Sequence, residues 1–200
     1  MAIRCGAVAL GLVSNMPSGP GVISEGLIAE IAGSVPPPIS TFLLTSAQDV
    51  DTIIDQQHRC RTNTLQLVDS LARGSHEDLR RALPGISVVQ VIQVVGPKSV
   101  DEALTVALHV DAILLDSGNP SLATKELGGT GRRHDWELSR QIREKLSIPM
   151  FLAGGLKPEN ARQAIHEVGP FGLDICTGVR TNGYLDEKKL RALFENARAA

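Results

Sequence analysis

The feature that limits this chain most is a recurring step. Apolar runs rich in aliphatic and β-branched residues occupy positions 8–13, 39–44, 63–68, 87–93, 110–115, 149–153 and 172–176, and successive starts lie 31, 24, 24, 23, 39 and 23 residues apart. Between and after them, helix-period stretches with polar faces cover 24–33, 47–59, 75–83, 98–108, 135–146, 158–167 and 186–198. Strand and helix signals therefore alternate seven times. Strict alternation implies a parallel sheet, because a right-handed helical crossover is the short way to bring the next strand back in parallel. An open doubly wound sheet and a closed barrel both satisfy it. The even step, with glycine pairs behind the last two runs, favours an α/β fold of the TIM (β/α)8-type barrel, with seven βα units visible.

Seven units are one short of closure, and would leave two unpaired strand edges. The deficit falls at the start. Residues 1–6 read as the tail of a helix running into the strand at Val8, so a first strand and most of a first helix are expected upstream of Met1. No linker or low-complexity tract interrupts residues 1–200, which read as one barrel domain; Pro36-Pro37-Pro38 is a stiff connector between a helix and a strand.

Charge and composition narrow the function. Twenty basic residues against 22 acidic ones give a formal charge of -2, and aromatic residues make up 3% of the chain. That excludes a blanket of positive charge for a nucleic-acid backbone or a membrane surface, and stacking platforms for single strands. Cys5, Cys60 and Cys176 lie far apart without metal-ligand or disulfide spacing, which suits a reducing cytoplasm. No apolar run approaches a membrane span, and no metal or cofactor motif appears. The expected partner is a small molecule, on a monomer or homodimer.

Candidate chemistry gathers at the C-terminal ends of the runs, the rim where barrel enzymes carry their active sites. Asp116 ends the most apolar run, where partial desolvation would raise its pKa and suit it to general acid work; a capping or Arg-paired carboxylate is the bland alternative. A long loop, 119–133, follows and contains Gly128-Gly129-Thr130-Gly131. Asp135 reads as a helix cap, and His134 is the one histidine on the active face. Ala153-Gly154-Gly155-Leu156-Lys157-Pro158 ends one run and opens a helix with proline in its first turn, an arrangement that aims free amides at the rim. Cys176-Thr177-Gly178-Val179-Arg180-Thr181-Asn182-Gly183 supplies a second glycine turn one strand later. Cys176 itself reads as a buried strand thiol.

These strings occur in a familiar order: Leu114-Leu115-Asp116-Ser117, then Gly128 to Gly131 with Asp135-Trp136, then Leu152 to Leu156 with Pro158-Glu159-Asn160, then Gly172 to Val179, with Gln66 also matching. The chain resembles the phosphoribosylanthranilate isomerases. The resemblance implies a TIM barrel of the ribulose-phosphate-binding type, acting without metal or cofactor as an aldose–ketose isomerase in tryptophan biosynthesis. It implies that Asp116 is the general acid, that Gly154, Gly155, Gly178 and Val179 cradle the phosphate, that Asp174 is a second active-site carboxylate, and that Gly129 lies in the substrate loop. This sequence departs from the family in several places. The Lys-x-Cys-Gly segment that carries the family's base has no counterpart, since Cys5-Gly6 falls at the end of the following helix. Pro17-Ser18-Gly19-Pro20-Gly21 stands where the family carries an Arg for the substrate's carboxylate. Thr177 and Arg180 replace the usual Ser and Glu. A non-catalytic phosphosugar binder, or a related barrel enzyme with another substrate, are the competing readings.

Overall fold

The computed structural model describes residues 1–17, 19–118 and 133–199. Seven strands, β1 (Ala9–Val13), β2 (Ser40–Thr45), β3 (Thr64–Leu67), β4 (Ser87–Gln93), β5 (Ala112–Asp116), β6 (Met150–Leu152) and β7 (Gly172–Leu173), form one parallel sheet in chain order. Each pairs with its sequence neighbour, and among the described residues β1 and β7 are the sheet's two ends. Helices α1 (Ala2–Cys5), α2 (Glu25–Ser34), α3 (Val50–Cys60), α4 (His76–Ala82), α5 (Lys98–Val106), α6 (Trp136–Lys145), α7 (Pro158–Val168) and α8 (Glu187–Arg198) alternate with the strands. Five helices start where a side-chain oxygen can accept an otherwise orphaned amide: Ser24, Asp49, Ser75, Asp135 and Asp186 each cap one.

Alternation along each strand builds two apolar layers. On β5, Ile113 and Leu115 face the helices together with Leu43, Leu65, Leu67 and Ile92, in one cluster with Ile142 of α6, whereas Ala112 and Leu114 face inward with Val68, Val89, Val91 and Ala153. Asp116 shares the parity of Leu114 and so stands on the inner side. The curvature can be read from one ring pair. Phe42 on β2 and Phe151 on β6 meet edge-to-face with centroids 6.1 Å apart. In a flat sheet these strands, four ladder steps apart, would be separated by about 19 Å. The sheet therefore curls until its inner side chains touch across the hollow.

Two features differ from the sequence expectation. The last strand ends at Leu173 rather than continuing to Cys176, so Cys176 belongs to the rim and not to a strand. Beyond it, a single 3₁₀ turn (Thr177–Val179) leads into a hairpin of β8 (Arg180–Thr181) and β9 (Tyr184–Leu185) before α8. Its two-residue loop, Asn182-Gly183, has φ of 52° and 81°, the pair of positive angles that a tight hairpin turn requires.

Removing a fully buried outer-layer side chain is the sharpest check on this packing. Ile113→Ala should lower unfolding free energy by about 2–5 kcal/mol in urea titration, whereas Leu108→Ala, at a position 80% exposed, should change it by less than about 0.5 kcal/mol.

Candidate active site

The rim gathers its polar groups from the ends of β5, β6 and β7. Asp116, the last residue of β5, is 8% exposed. Its Oδ1 accepts hydrogen bonds from the Ser117 amide at 2.7 Å and, at 3.5 Å, from the Ser117 hydroxyl. Those bonds favour the charged form, but burial outweighs them and holds the carboxyl above its ordinary pKa. Gln93, paired with Asp116 in the ladder, accepts the Gly118 amide at 2.6 Å and so fixes the chain as it leaves the strand.

Asp174 follows β7, and its amide still donates to the Leu152 carbonyl at 2.9 Å. It keeps some surface, yet protein crowds its carboxyl, and loss of water raises the pKa to about 6, with the charge of Asp116 adding to the rise. Cys176 is half-buried nearby. Burial raises its thiol pKa and both carboxylates add to that, while the Arg180 guanidinium pulls it back.

The two glycine turns are not merely neighbours. A side chain on Gly178 would collide with the Leu156 carbonyl oxygen, so main chain from the 3₁₀ turn lies directly on main chain from the β6–α7 turn. Gly154 has φ of 81°, and a Cβ there would stand 2.9 Å from the Ser117 side chain and 3.0 Å from His134 Nδ1. The β6–α7 turn is thus seated on Ser117, which itself binds Asp116. Asn160 secures the turn from the helix side, accepting the Lys157 amide at 2.8 Å and donating to the Gly155 carbonyl at 3.0 Å. Among the described residues, the amides of Gly154, Gly155 and Gly178 donate to no main-chain carbonyl, which leaves donors for an anion.

His134 adds a neutral imidazole. His134 Nε2 lies 2.7 Å from Ser139 Oγ, which is also 3.3 Å from the Asp135 carbonyl, and Nδ1 is buried without a partner among the described residues. Desolvation lowers this histidine's pKa to about 4.

The structure brings together Asp116, Asp174, Gly154, Gly155, Gly178 and Val179, all on the β5 to β7 side of the rim. Gly129 and the rest of Gly128 to Gly131 lie outside the described residues. Cys176 and Arg180 are the additions, the first because strand β7 ends early and the second because its reach depends on curvature. A cavity of about 790 Å³ lies by β3 and β4, its lining including Val68, His76, Gln90, Gln93, Glu102 and His109 but neither rim carboxylate. No three His, Cys, Asp or Glu side chains among the described residues converge as metal ligands.

Comparison with known proteins accounts for this arrangement. A family model described as N-(5'-phosphoribosyl)anthranilate (PRA) isomerase matches residues 31–196. N-(5'-phosphoribosyl)anthranilate isomerase 2 of Methanosarcina mazei is 36% identical over 95% of this chain and 84% of its own length. The crystal structure of phosphoribosyl anthranilate isomerase from Thermotoga maritima superposes with a TM-score of 0.80 at 27% identity, over 100% of this chain and 92% of that one. Another isomerase structure, in complex with reduced 1-(o-carboxyphenylamino)-1-deoxyribulose 5-phosphate, superposes with a TM-score of 0.77 at 25% identity, over 100% of this chain and 91% of that one. With the rim carboxylates, the paired glycine turns and the curled parallel sheet, these matches mean that the chain belongs to the N-(5'-phosphoribosyl)anthranilate isomerase family.

Proposed function

We propose that this chain isomerises N-(5'-phosphoribosyl)anthranilate to 1-(2-carboxyphenylamino)-1-deoxyribulose 5-phosphate, the aldose–ketose step of tryptophan biosynthesis, in the cytoplasm. The observation that carries the reading is the seating of the β6–α7 glycine turn on Ser117, one residue from a buried carboxyl that resists ionisation. A phosphosugar held by its phosphate at Gly154, Gly155, Gly178 and Val179 extends its ribose toward that carboxyl.

The chemistry follows from the protonation of the pair. Asp116 gives its proton to the furanose ring oxygen as the bond from that oxygen to C1 breaks, and the nitrogen lone pair forms a protonated imine at C1. The two carboxylates then face each other without a proton between them. That arrangement pulls strongly on a hydrogen, and C2 beside the imine is acidic. Transfer of the C2 proton to the pair yields the enolamine, which tautomerises to the ketone. The protein ends with the proton count it began with, and nothing is oxidised overall. The amides of the two turns bind the dianionic phosphate without a lysine, and desolvation by the apolar inner layer strengthens each of these contacts.

Turnover is followed through the change in anthranilate fluorescence. Asp116→Asn, which preserves shape and removes the acid, should lower kcat by about 10² to 10⁴-fold with little effect on phosphate binding. Substrate binding without turnover in the unmodified chain would replace the isomerase reading with that of a phosphosugar binder. Because the pair must hold a proton, kcat/KM should fall as the pH rises through about 6.

Stability carries the same signature. Asp174 has a folded pKa raised from 3.8 to about 6, so its contribution to stability is complete below about 4 and is lost as pH rises through 6. Asp174→Asn should therefore raise unfolding free energy at pH 8, by on the order of 2 kcal/mol, and leave it nearly unchanged at pH 3.5, as measured by urea titration at both values.

A further inference from the structure

The isomerisation described above makes no use of the cavity by β3 and β4. Four segments bound it: the chain after β3, strand β4, α4 and α5. Its volume of about 790 Å³ is that of a small-molecule site. Apolar surface comes from Ile92 of β4, from Val106 of α5 and from Val95, which is 64% exposed just beyond β4. The carboxyls come from three sides, Asp69 after β3, Glu77 on α4 and Glu102 on α5, whereas no lysine or arginine is among the described residues that line the cavity.

The groups that Glu77, Glu102 and His76 offer to a ligand are acceptors. The side-chain nitrogen of Gln90 donates to the carbonyls of Leu67 and Asp69, each at 3.1 Å, so its oxygen is the atom that meets His76 Nε2 at 3.1 Å. An amide oxygen only accepts. Nε2 therefore carries a hydrogen, and in the neutral ring Nδ1 is an acceptor. His109 lies beside it, the two rings 6.4 Å apart between centroids and within 10° of parallel. Glu102 keeps surface, yet crowding by protein raises its pKa, and no hydrogen bond or cation opposes the rise. Glu77 joins no ion pair among the described residues. A partly desolvated carboxylate without a cation is costly, so a cationic occupant is favoured. Among the described residues, no three of these His, Asp and Glu side chains converge as metal ligands. Acceptors spread over two helices suit N–H groups spaced along a chain better than a single ion.

We propose that this cavity binds a linear polyamine, with ammonium groups on Glu77 and Glu102 and the methylene chain against Ile92, Val95 and Val106. The site is independent of the isomerase reading, because neither rim carboxylate lines it. It does border the rim: Gln93 also lines the cavity and accepts the Gly118 amide, two residues beyond Asp116. The test therefore has to separate a polyamine from the phosphosugar.

Spermidine titrated into the full chain by calorimetry at low ionic strength should saturate at one per chain. 1-Aminobutane, which has one ammonium group, should bind at least about 10-fold more weakly. Glu77→Gln and Glu102→Gln should each weaken spermidine by about 10-fold, the loss expected for one charged hydrogen bond. Glu195→Gln, at an exposed carboxylate on α8, should leave affinity within about twofold. An unchanged urea midpoint shows that each variant is folded. Binding that does not saturate, an equal loss in Glu195→Gln, or displacement of spermidine by magnesium chloride at equal charge would reduce the effect to diffuse screening and overturn the proposal. Displacement by 1-(2-carboxyphenylamino)-1-deoxyribitol 5-phosphate would also overturn it, giving the cavity to the phosphosugar. Neither result bears on turnover, by which the isomerase reading is judged separately.

Discussion

Loss of water around two carboxyls governs this rim, and at Asp174 the charge of Asp116 adds to it. Asp116 closes an apolar strand and Asp174 follows another, and neither meets a cation strong enough to offset the loss of water. If either were paired with a lysine, it would ionise early and have no proton to give near neutrality. Their environment is made by the inner apolar layer beneath them, so the same curl that brings Phe42 against Phe151 also keeps this corner of the rim dry. Packing and proton chemistry are one constraint here: a flatter sheet would expose the hollow and let both groups ionise.

The second constraint is a contact between two stretches of main chain. Gly178 lies so close to Leu156 that any side chain would force the turns apart. Bare amides from successive βα units can then converge on one anion without long flexible cations, whose ordering costs side-chain entropy. Asn160 and the first turn of α7 brace one side of this cradle, and the packing of Val179 with Cys5, Leu190 and Leu193 braces the other. The site is held by elements that are themselves buried, which favours preorganisation over induced fit.

Much of this was legible in sequence because strands and helices carry period information. The apolar runs at 87–93 and 110–115 became β4 and β5 with little change in bounds, and Asp116 could be assigned to the rim from its position at the end of a run. Local signals failed where three-dimensional closeness decides. The run Gly172 to Cys176 reads as a strand, but only two residues keep ladder geometry, because Asp174 to Cys176 turn into the rim. The Asn182-Gly183 dipeptide carried a hairpin signal that was readable only as a generic glycine turn. The reach of Arg180 toward Gly21 spans 159 positions of sequence and depends on curvature, which no spacing rule encodes.

The proton held between Asp116 and Asp174 is the central claim, and carbon-13 NMR of the aspartate carboxyls, titrated from pH 3 to 9 with Asp116→Asn and Asp174→Asn to assign the signals, reads it directly. Two coupled steps, the later at about 6, and a single simpler step when either partner is replaced, are the result this account requires. Two independent titrations near 4, unaffected by loss of the neighbour, would contradict it.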